Sequence, residues 1–173
     1  MPLSMSQASV AVFEVGLNAL SAILDKAAAH AAAKKIDLSV LLHSRLAPDM
    51  FDFTRQVQVV TDHARRGAAR LAGVEAPSYE DNETTLEQLK ARLAKTNAFL
   101  KTLDRRQIDD AADREITIPL GRLTGQMKGA DYLNHFLLPH YYFHLTTAYD
   151  LVRHAGVEIN KRDFLGIFPI KLV

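Results

Sequence analysis

Apolar residues recur at alternating intervals of three and four along four long segments of this 173-residue chain, and this spacing constrains its fold most. It places them on one face of an α-helix, which has to be buried against other helices. The first segment shows the pattern in Phe13, Leu17, Leu20, Leu24, Ala27 and Ala31. The sequence therefore predicts an all-α protein built around four long helices.

Capping signals set the limits of the second and third helices. The second is predicted to run from about Asp49, next to Pro48, and to stop at Gly73, because proline suits a helix start and glycine suits the residue after a helix end. Thr84 and Glu87 have the spacing of a capping box at the start of the third helix. A short helical turn is expected between the first two helices, over residues 38–42.

Between the third and fourth helices the apolar period changes to two. Ile116, Ile118 and Leu120 alternate with less apolar positions, which predicts a small β-hairpin, and Pro119 confines its first strand to an edge. The tail after residue 156 is apolar and is expected to pack across the bundle; its apolar residues are Phe164, Leu165, Ile167 and Phe168.

Two histidines four residues apart, His140 and His144, lie in the apolar stripe of the fourth helix, which is predicted from near Ala130 to just before Gly156. Positions i and i+4 share one helix face, so the two imidazoles can converge on a metal ion. The spacing matches the helix motif of zinc proteases, but Tyr141 stands where that motif has its catalytic glutamate, which disfavours this class. Two hydrogen-bonded core histidines are the alternative interpretation.

His63 is the best candidate for a third ligand. It shares a row with Val59, Gly67 and Arg70 at the margin of the buried face of the second helix, from which it can face a cleft. Asp62 points about 100° away on the helical wheel and is a poor co-ligand. A solvated position on the helix margin is the alternative interpretation for His63.

Pro139 interrupts the fourth helix just before the histidine pair. It has no N–H for the carbonyl of His135, and its ring clashes there, so a kink that opens the bundle around His140 is expected. The alternative is that Pro139 begins the helix proper after a short preceding turn.

Composition narrows the remaining function classes. The chain has no cysteine, so a bound transition metal must have nitrogen and oxygen ligands. A net charge of +1 implies no general attraction to nucleic acid or to an anionic membrane surface. No uninterrupted apolar run approaches the roughly 20 residues of a membrane span, and the first residues lack a secretory signal pattern. We therefore expect one cytoplasmic domain over residues 1–173.

The end of the chain resembles the last helix of the DinB/YfiT-like superfamily. In that superfamily a histidine pair precedes an Arg-x-x-Gly-Val sequence at the distance that separates His140 and His144 from Arg153 and Gly156. The sequence from Phe143 to Tyr149 and the Lys-Arg-Asp-Phe-Leu-Gly stretch of residues 161–166 are closer still to a bacterial branch known only as a domain of unknown function.

This resemblance implies a DinB-like four-helix bundle, often a homodimer, with a three-histidine metal site. His144 matches the second histidine of the family's pair, His140 the first, and His63 the histidine of the second helix. The family's usual His-Arg-Gly-Gln continuation is His-Leu-Thr-Thr here, from His144 to Thr147, so the groups that orient this ligand have to differ. Characterised relatives include transferases and isomerases that use bacillithiol, mycothiol or glutathione.

Two functional hypotheses follow. The first is a metal-dependent thiol transferase, isomerase or hydrolase that holds zinc or nickel on His63, His140 and His144 and acts on a small molecule, such as a low-molecular-weight thiol compound. The second is a non-catalytic, dimeric binding or stress-associated protein in which the histidines satisfy one another in a buried pocket.

Overall fold

The computed structural model describes residues 3–167 and is a helical bundle with one small hairpin. Helices before the hairpin are α1 (Met5–Ala8), α2 (Val10–Lys34), α3 (Leu38–Leu42), α4 (Phe53–Ala72), α5 (Leu86–Thr102) and α6 (Arg105–Asp109). The hairpin consists of β1 (Glu115–Leu120) and β2 (Leu123–Lys128). It is followed by α7 (Gly129–Asp131), a π-helical segment (Tyr132–Leu137), α8 (Leu138–His154) and α9 (Lys161–Leu165). The predicted four-helix bundle with a hairpin before the last long helix is confirmed.

The core lies between the apolar faces of α2, α4, α5 and α8. Helix α4 packs against both α5 and α8, and α2 packs against α5 and α8. The predicted core positions of α2 are buried, among them Phe13, Leu17, Leu20 and Leu24. The buried face of α4 includes Phe53, Val57, Val60 and Leu71. Burial of such apolar side chains contributes most of the stability of a bundle, at about 25 cal/mol per Å².

The limits of α4 and α5 differ slightly from the prediction. Helix α4 begins at Phe53 because the side chain of Asp52 accepts a hydrogen bond from the backbone N–H of Arg55 (2.9 Å) and caps the helix there. Pro48 lies in the preceding turn. The capping box of α5 is formed by Thr85 and Gln88, one residue beyond the predicted pair. The end of α4 at Gly73, with φ of 71°, agrees with the prediction.

The predicted β-hairpin is present, and two of the three positions of its alternating apolar face are buried. Ile116 and Ile118 are buried, whereas Leu120 at the end of β1 is exposed. The strands are antiparallel, with Glu115 opposite Lys128. The hairpin leads into Gly129, whose N–H donates to the carbonyl of Arg114 (2.9 Å). This connection fixes where the last long helical stretch begins.

A π-helical segment precedes α8 and shifts the apolar stripe of that helix. In the segment, backbone bonds skip one residue more than in an α-helix, as in the bond from the N–H of Leu138 to the carbonyl of Leu133. Pro139 is therefore the second residue of α8, as in the alternative interpretation, and the π-helical segment stands where a kink was expected. The buried stripe continues through Tyr141 and Leu145 rather than through the two histidines.

Tyr141 shows why that shifted stripe is favourable. Its side chain is fully buried, its hydroxyl donates to the carbonyl of Phe13 (3.2 Å), and its ring lies 4.7 Å from that of Phe13. The residue that occupies the place of a catalytic glutamate in zinc proteases is thus a core residue that joins α8 to α2.

The described part of the tail packs on the bundle as predicted. Helix α9 contacts α2, with an ion pair between Lys26 and Asp163 (2.6 Å), and the rings of Tyr149 and Phe164 meet edge to face. Ile167 is exposed, and Phe168 lies outside the described residues. By length and hydropathy, Met5–Lys34 resembles a membrane span, and 50% of its most apolar window is buried in the bundle, as in a core helix.

Candidate metal centre

The three predicted histidines meet where α4 packs against α8. The ring centre of His63 lies 5.2 Å from that of His140 and 5.5 Å from that of His144. His63 and His144 are partly buried, and His140 is exposed. His63 thus faces the histidine pair from the neighbouring helix, at the margin position that the sequence predicted.

Hydrogen bonds define which nitrogen of His140 and His144 carries the proton. Nδ1 of His140 lies 2.7 Å from the carbonyl oxygen of Phe136, and Nδ1 of His144 lies 2.7 Å from Oε1 of Gln56. Both partners are acceptors, so each Nδ1 has to be the protonated donor in a neutral ring. The Nε2 atoms of both rings therefore keep free lone pairs, as metal binding requires.

Gln56 is a functional candidate that the sequence did not reveal. Its side chain is buried, and its amide nitrogen donates to the carbonyl of Phe51 (3.2 Å), which leaves Oε1 turned toward His144. It lies seven residues before His63, on the same face of α4, since seven residues make about two helical turns. This seven-residue spacing is the feature of the sequence that could have pointed to Gln56. Gln56 fills the orienting role that the His-Leu-Thr-Thr sequence leaves open.

The surroundings keep two of the rings neutral. Burial, together with the neighbouring His144 and His140, lowers the pKa of His63 from 6.5 to about 4. Burial also lowers the pKa of His144 to about 4, with smaller effects from His140 and Arg55. At neutral pH both rings are uncharged, which is the form that coordinates a metal ion.

The donor set fits a divalent metal in its chemistry, and the side chains have to rotate to close it. Imidazoles that share a zinc ion through bonds of about 2.0–2.1 Å have ring centres roughly 5 Å apart. The two separations from His63 are of this size. Within residues 3–167, no three histidine, aspartate or glutamate side chains already stand where they could hold one metal ion together. The exposed His140 has room to rotate toward the other two.

Two different surfaces adjoin the histidines. The ring centres of Phe51 and Phe143 lie 6.3 and 5.1 Å from that of His144, and both side chains are about half exposed. A cleft of about 240 Å³ has a lining that includes His63, Arg66, Arg70 and Tyr132. The site therefore offers an apolar contact surface next to His144 and a polar cleft next to His63.

Asp62 has a structural role beside the site. Its carboxylate accepts from Arg65 (2.6 Å), Arg92 (3.0 Å) and Arg66 (3.2 Å), and Arg65 and Arg92 are almost fully buried. Arg65 and Arg92 also lie over the ring of Tyr79 in the connection between α4 and α5. The carboxylate is occupied by these arginines, in agreement with its exclusion as a metal ligand.

The remaining histidines lie elsewhere. His43 and His135 are exposed and lie 4.0 Å from the carboxylates of Asp52 and Asp131, respectively. His30 and His154 line a separate cleft between the end of α2 and the end of α8.

Comparison with known proteins identifies the family. Residues 5–165 match the family described as Domain of unknown function (DUF1993). The chain belongs to this family. A crystal structure of a DinB family member protein from Shewanella denitrificans is similar, with 41% sequence identity and a TM-score of 0.90, over 96% of this chain and 94% of that one. No protein of curated description matches the chain.

The predicted resemblance is thereby confirmed at the level of family and fold: this is a DinB-like protein of a family of unknown function. The structural similarity extends over almost the whole bundle, including the helices that carry His63, His140 and His144.

Proposed function

We propose that this DinB-like protein binds a divalent metal ion, zinc or nickel, through Nε2 of His63, His140 and His144. The observation that carries the proposal is the pair of Nδ1 hydrogen bonds made by His140 and His144, which in the neutral rings place the free lone pair on Nε2, close to His63. In each of these two rings, Nδ1 makes a hydrogen bond and Nε2 is available to bind a metal ion.

The proposed activity is that of a metal-dependent thiol transferase, isomerase or hydrolase acting on a small molecule. A metal ion on three neutral imidazoles supplies Lewis acidity and lowers the pKa of a bound water or thiol. Gln56 holds His144 in one orientation, and His140 is the exposed ring that rotates to complete the site. Phe51 and Phe143 offer an apolar surface to the substrate beside His144. A low-molecular-weight thiol, a homodimeric state and a cytoplasmic location belong to the same proposal.

Metal analysis of tag-free protein tests this proposal. We expect about one zinc or nickel ion per chain in the wild type and a loss of at least tenfold in affinity for His63→Ala and His144→Ala, because each variant removes one of three ligands. His135→Ala is the matched control, since His135 is exposed in the neighbouring π-helical segment. Wild-type protein that neither retains nor takes up metal, and whose melting temperature is unchanged by chelator, would contradict the proposal.

The second candidate is a non-catalytic binding protein. The same hydrogen bonds support it if their role is structural. His144 joins α8 to Gln56 of α4, and His140 bonds to the carbonyl of Phe136 in the adjoining π-helical segment. Within residues 3–167, moreover, no three-ligand set is preformed. If the protein is a non-catalytic binding protein, His144→Ala lowers the melting temperature of the metal-free protein. Metal ions then change the melting temperature of neither the wild type nor His144→Ala. A thermal-shift screen with low-molecular-weight thiols, with and without metal, separates the two functions.

A further inference from the structure

The cleft beside His63 carries more positive charge than its surroundings neutralise. It lies between α4, Pro119 of β1 and the π-helical segment, and has a volume of about 240 Å³. Its lining includes three arginines, Arg55, Arg66 and Arg70, against one carboxylate, that of Asp62. The whole chain has a net charge of only +1, so this excess is local.

The ion pairs in the cleft show where the excess lies. Arg55 pairs with Asp81, outside the lining. Arg66 reaches Asp62 at 3.2 Å, but the same carboxylate also serves the two buried arginines Arg65 and Arg92.

Of the three arginines that line the cleft, Arg70 alone has no carboxylate partner among residues 3–167. Its side-chain partner there is the hydroxyl of Tyr132, at 3.4 Å. It is partly buried and shares the cleft wall with His63. A guanidinium held in a concave site without a counter-charge is a strong and directional binder of oxyanions, because its fork of N–H groups matches two oxygens at once.

We propose that this cleft binds the oxyanion of a small molecule, a carboxylate or a phosphate, through Arg70 and Arg66, with Tyr132 as a further hydrogen-bond donor. The anion then lies next to His63, whereas Phe51 and Phe143 adjoin His144. The inference relies on the proposed function only in assigning this anion to the substrate. A substrate that contacts both surfaces carries an anionic group and an apolar group.

Tyr132 is suited to the donor role. Burial raises the pKa of its hydroxyl above the usual value, so the group stays protonated at neutral pH. The hydroxyl accepts from Arg70 and keeps its own proton for a bound oxygen.

Isothermal titration of metal-free protein tests the anion site separately from the metal. The probes are inorganic phosphate and malonate, with sodium chloride at matched ionic strength as the reference. We expect saturable binding to the wild type, weakened by roughly ten- to a hundredfold in Arg70→Gln, since a charge-assisted hydrogen-bond pair is lost. Tyr132→Phe removes only the hydroxyl and is expected to weaken binding by about fivefold or less.

Arg106→Gln is the matched control, because Arg106 lies exposed on α6, away from the cleft. It should bind both anions as the wild type does. Binding of phosphate alone assigns the cleft to phosphate esters, and binding of malonate alone assigns it to carboxylates. Binding of neither anion by the wild type overturns the inference, and so does equal binding by the wild type and by folded Arg70→Gln and Tyr132→Phe proteins.

The metal and anion results are independent. Metal uptake measured on the same Arg70→Gln protein should match the wild type, because Arg70 is not a proposed ligand. Anion binding that depends on Arg70 in a protein that takes up no metal supports this inference and contradicts the metal function. Metal uptake without anion binding supports the metal function and contradicts this inference.

Discussion

Replacing Gln56 by methionine tests whether this side chain sets the chemistry of His144. Methionine is close to glutamine in shape but cannot accept the Nδ1–H of His144 or donate to the carbonyl of Phe51, bonds of 2.7 and 3.2 Å. At about 1 kcal/mol for each hydrogen bond, Gln56→Met should lower the free energy of unfolding by about 2 kcal/mol. The ring of His144 also loses its fixed tautomer, and metal affinity should fall by roughly ten- to a hundredfold.

Gln58→Met is the matched control. Gln58 lies on the same helix, is similarly buried, and also makes two side-chain bonds, accepting from Arg55 (3.0 Å) and donating to Glu83 (2.9 Å). Gln58→Met should therefore lower the free energy of unfolding in urea by a similar amount and leave metal affinity unchanged. The comparison separates general destabilisation from loss of the bond to His144.

Nitrogen-15 NMR of the histidine rings measures the tautomer directly in metal-free protein at neutral pH. We expect the wild type and Gln58→Met to carry the His144 proton on Nδ1, and Gln56→Met to show a mixture of both tautomers. A wild-type proton on Nε2 of His144 would refute the reasoning, as would equal metal affinities for the two variants.

Three further results are expected. Asp62→Asn should lower the free energy of unfolding in urea by about 3 kcal/mol, because it leaves the buried guanidinium groups of Arg65 and Arg92 with a weaker partner. The control Asp113→Asn should have little effect, because Asp113 is exposed. Equal effects of the two substitutions would contradict the structural role of Asp62. Gly67→Ala should destabilise the protein by about 1–3 kcal/mol, measured the same way, because a Cβ would overlap a buried leucine of the π-helical segment; unchanged stability would show that this contact adjusts freely. The pKa values of His63 and His144 are about 4 when folded and near 6.5 when unfolded. Between pH 6.5 and 4 the unfolded chain therefore binds more protons than the folded chain. The free energy of unfolding of the metal-free protein should fall as the pH is lowered from 6.5 to 4, by about 1–2 kcal/mol per histidine after allowance for partial exposure. A free energy of unfolding that does not change over this range would contradict the burial of these rings.

Helix content was readable from the sequence because it depends on local spacing. The buried faces of α2 and α4 follow directly from the three- and four-residue intervals, and Gly73 ends α4 where predicted. The start of α4 was misplaced because Pro48 and Asp52 both carry helix-start signals, and the aspartate forms the cap.

The stripe on α8 could not be predicted in the same way. A helical wheel assumes 3.6 residues per turn, and the π-helical segment before Leu138 breaks that assumption. The wheel put His140 and His144 in line with the core leucines, whereas the structure buries Tyr141 and leaves His140 exposed.

The sequence by itself determined the bundle and the resemblance to the family, because these depend on residue types at fixed local spacings, and it singled out His63, His140 and His144 as candidates. Tertiary structure alone decided what surrounds those histidines. Gln56 reaches His144 across 88 positions of sequence, and Arg70 meets Tyr132 across 62, so no local pattern records either contact. The packing of α4 against α8 brings these groups together. It also sets the orientation of His144, the lowered pKa values of His63 and His144, and the charged cleft beside them.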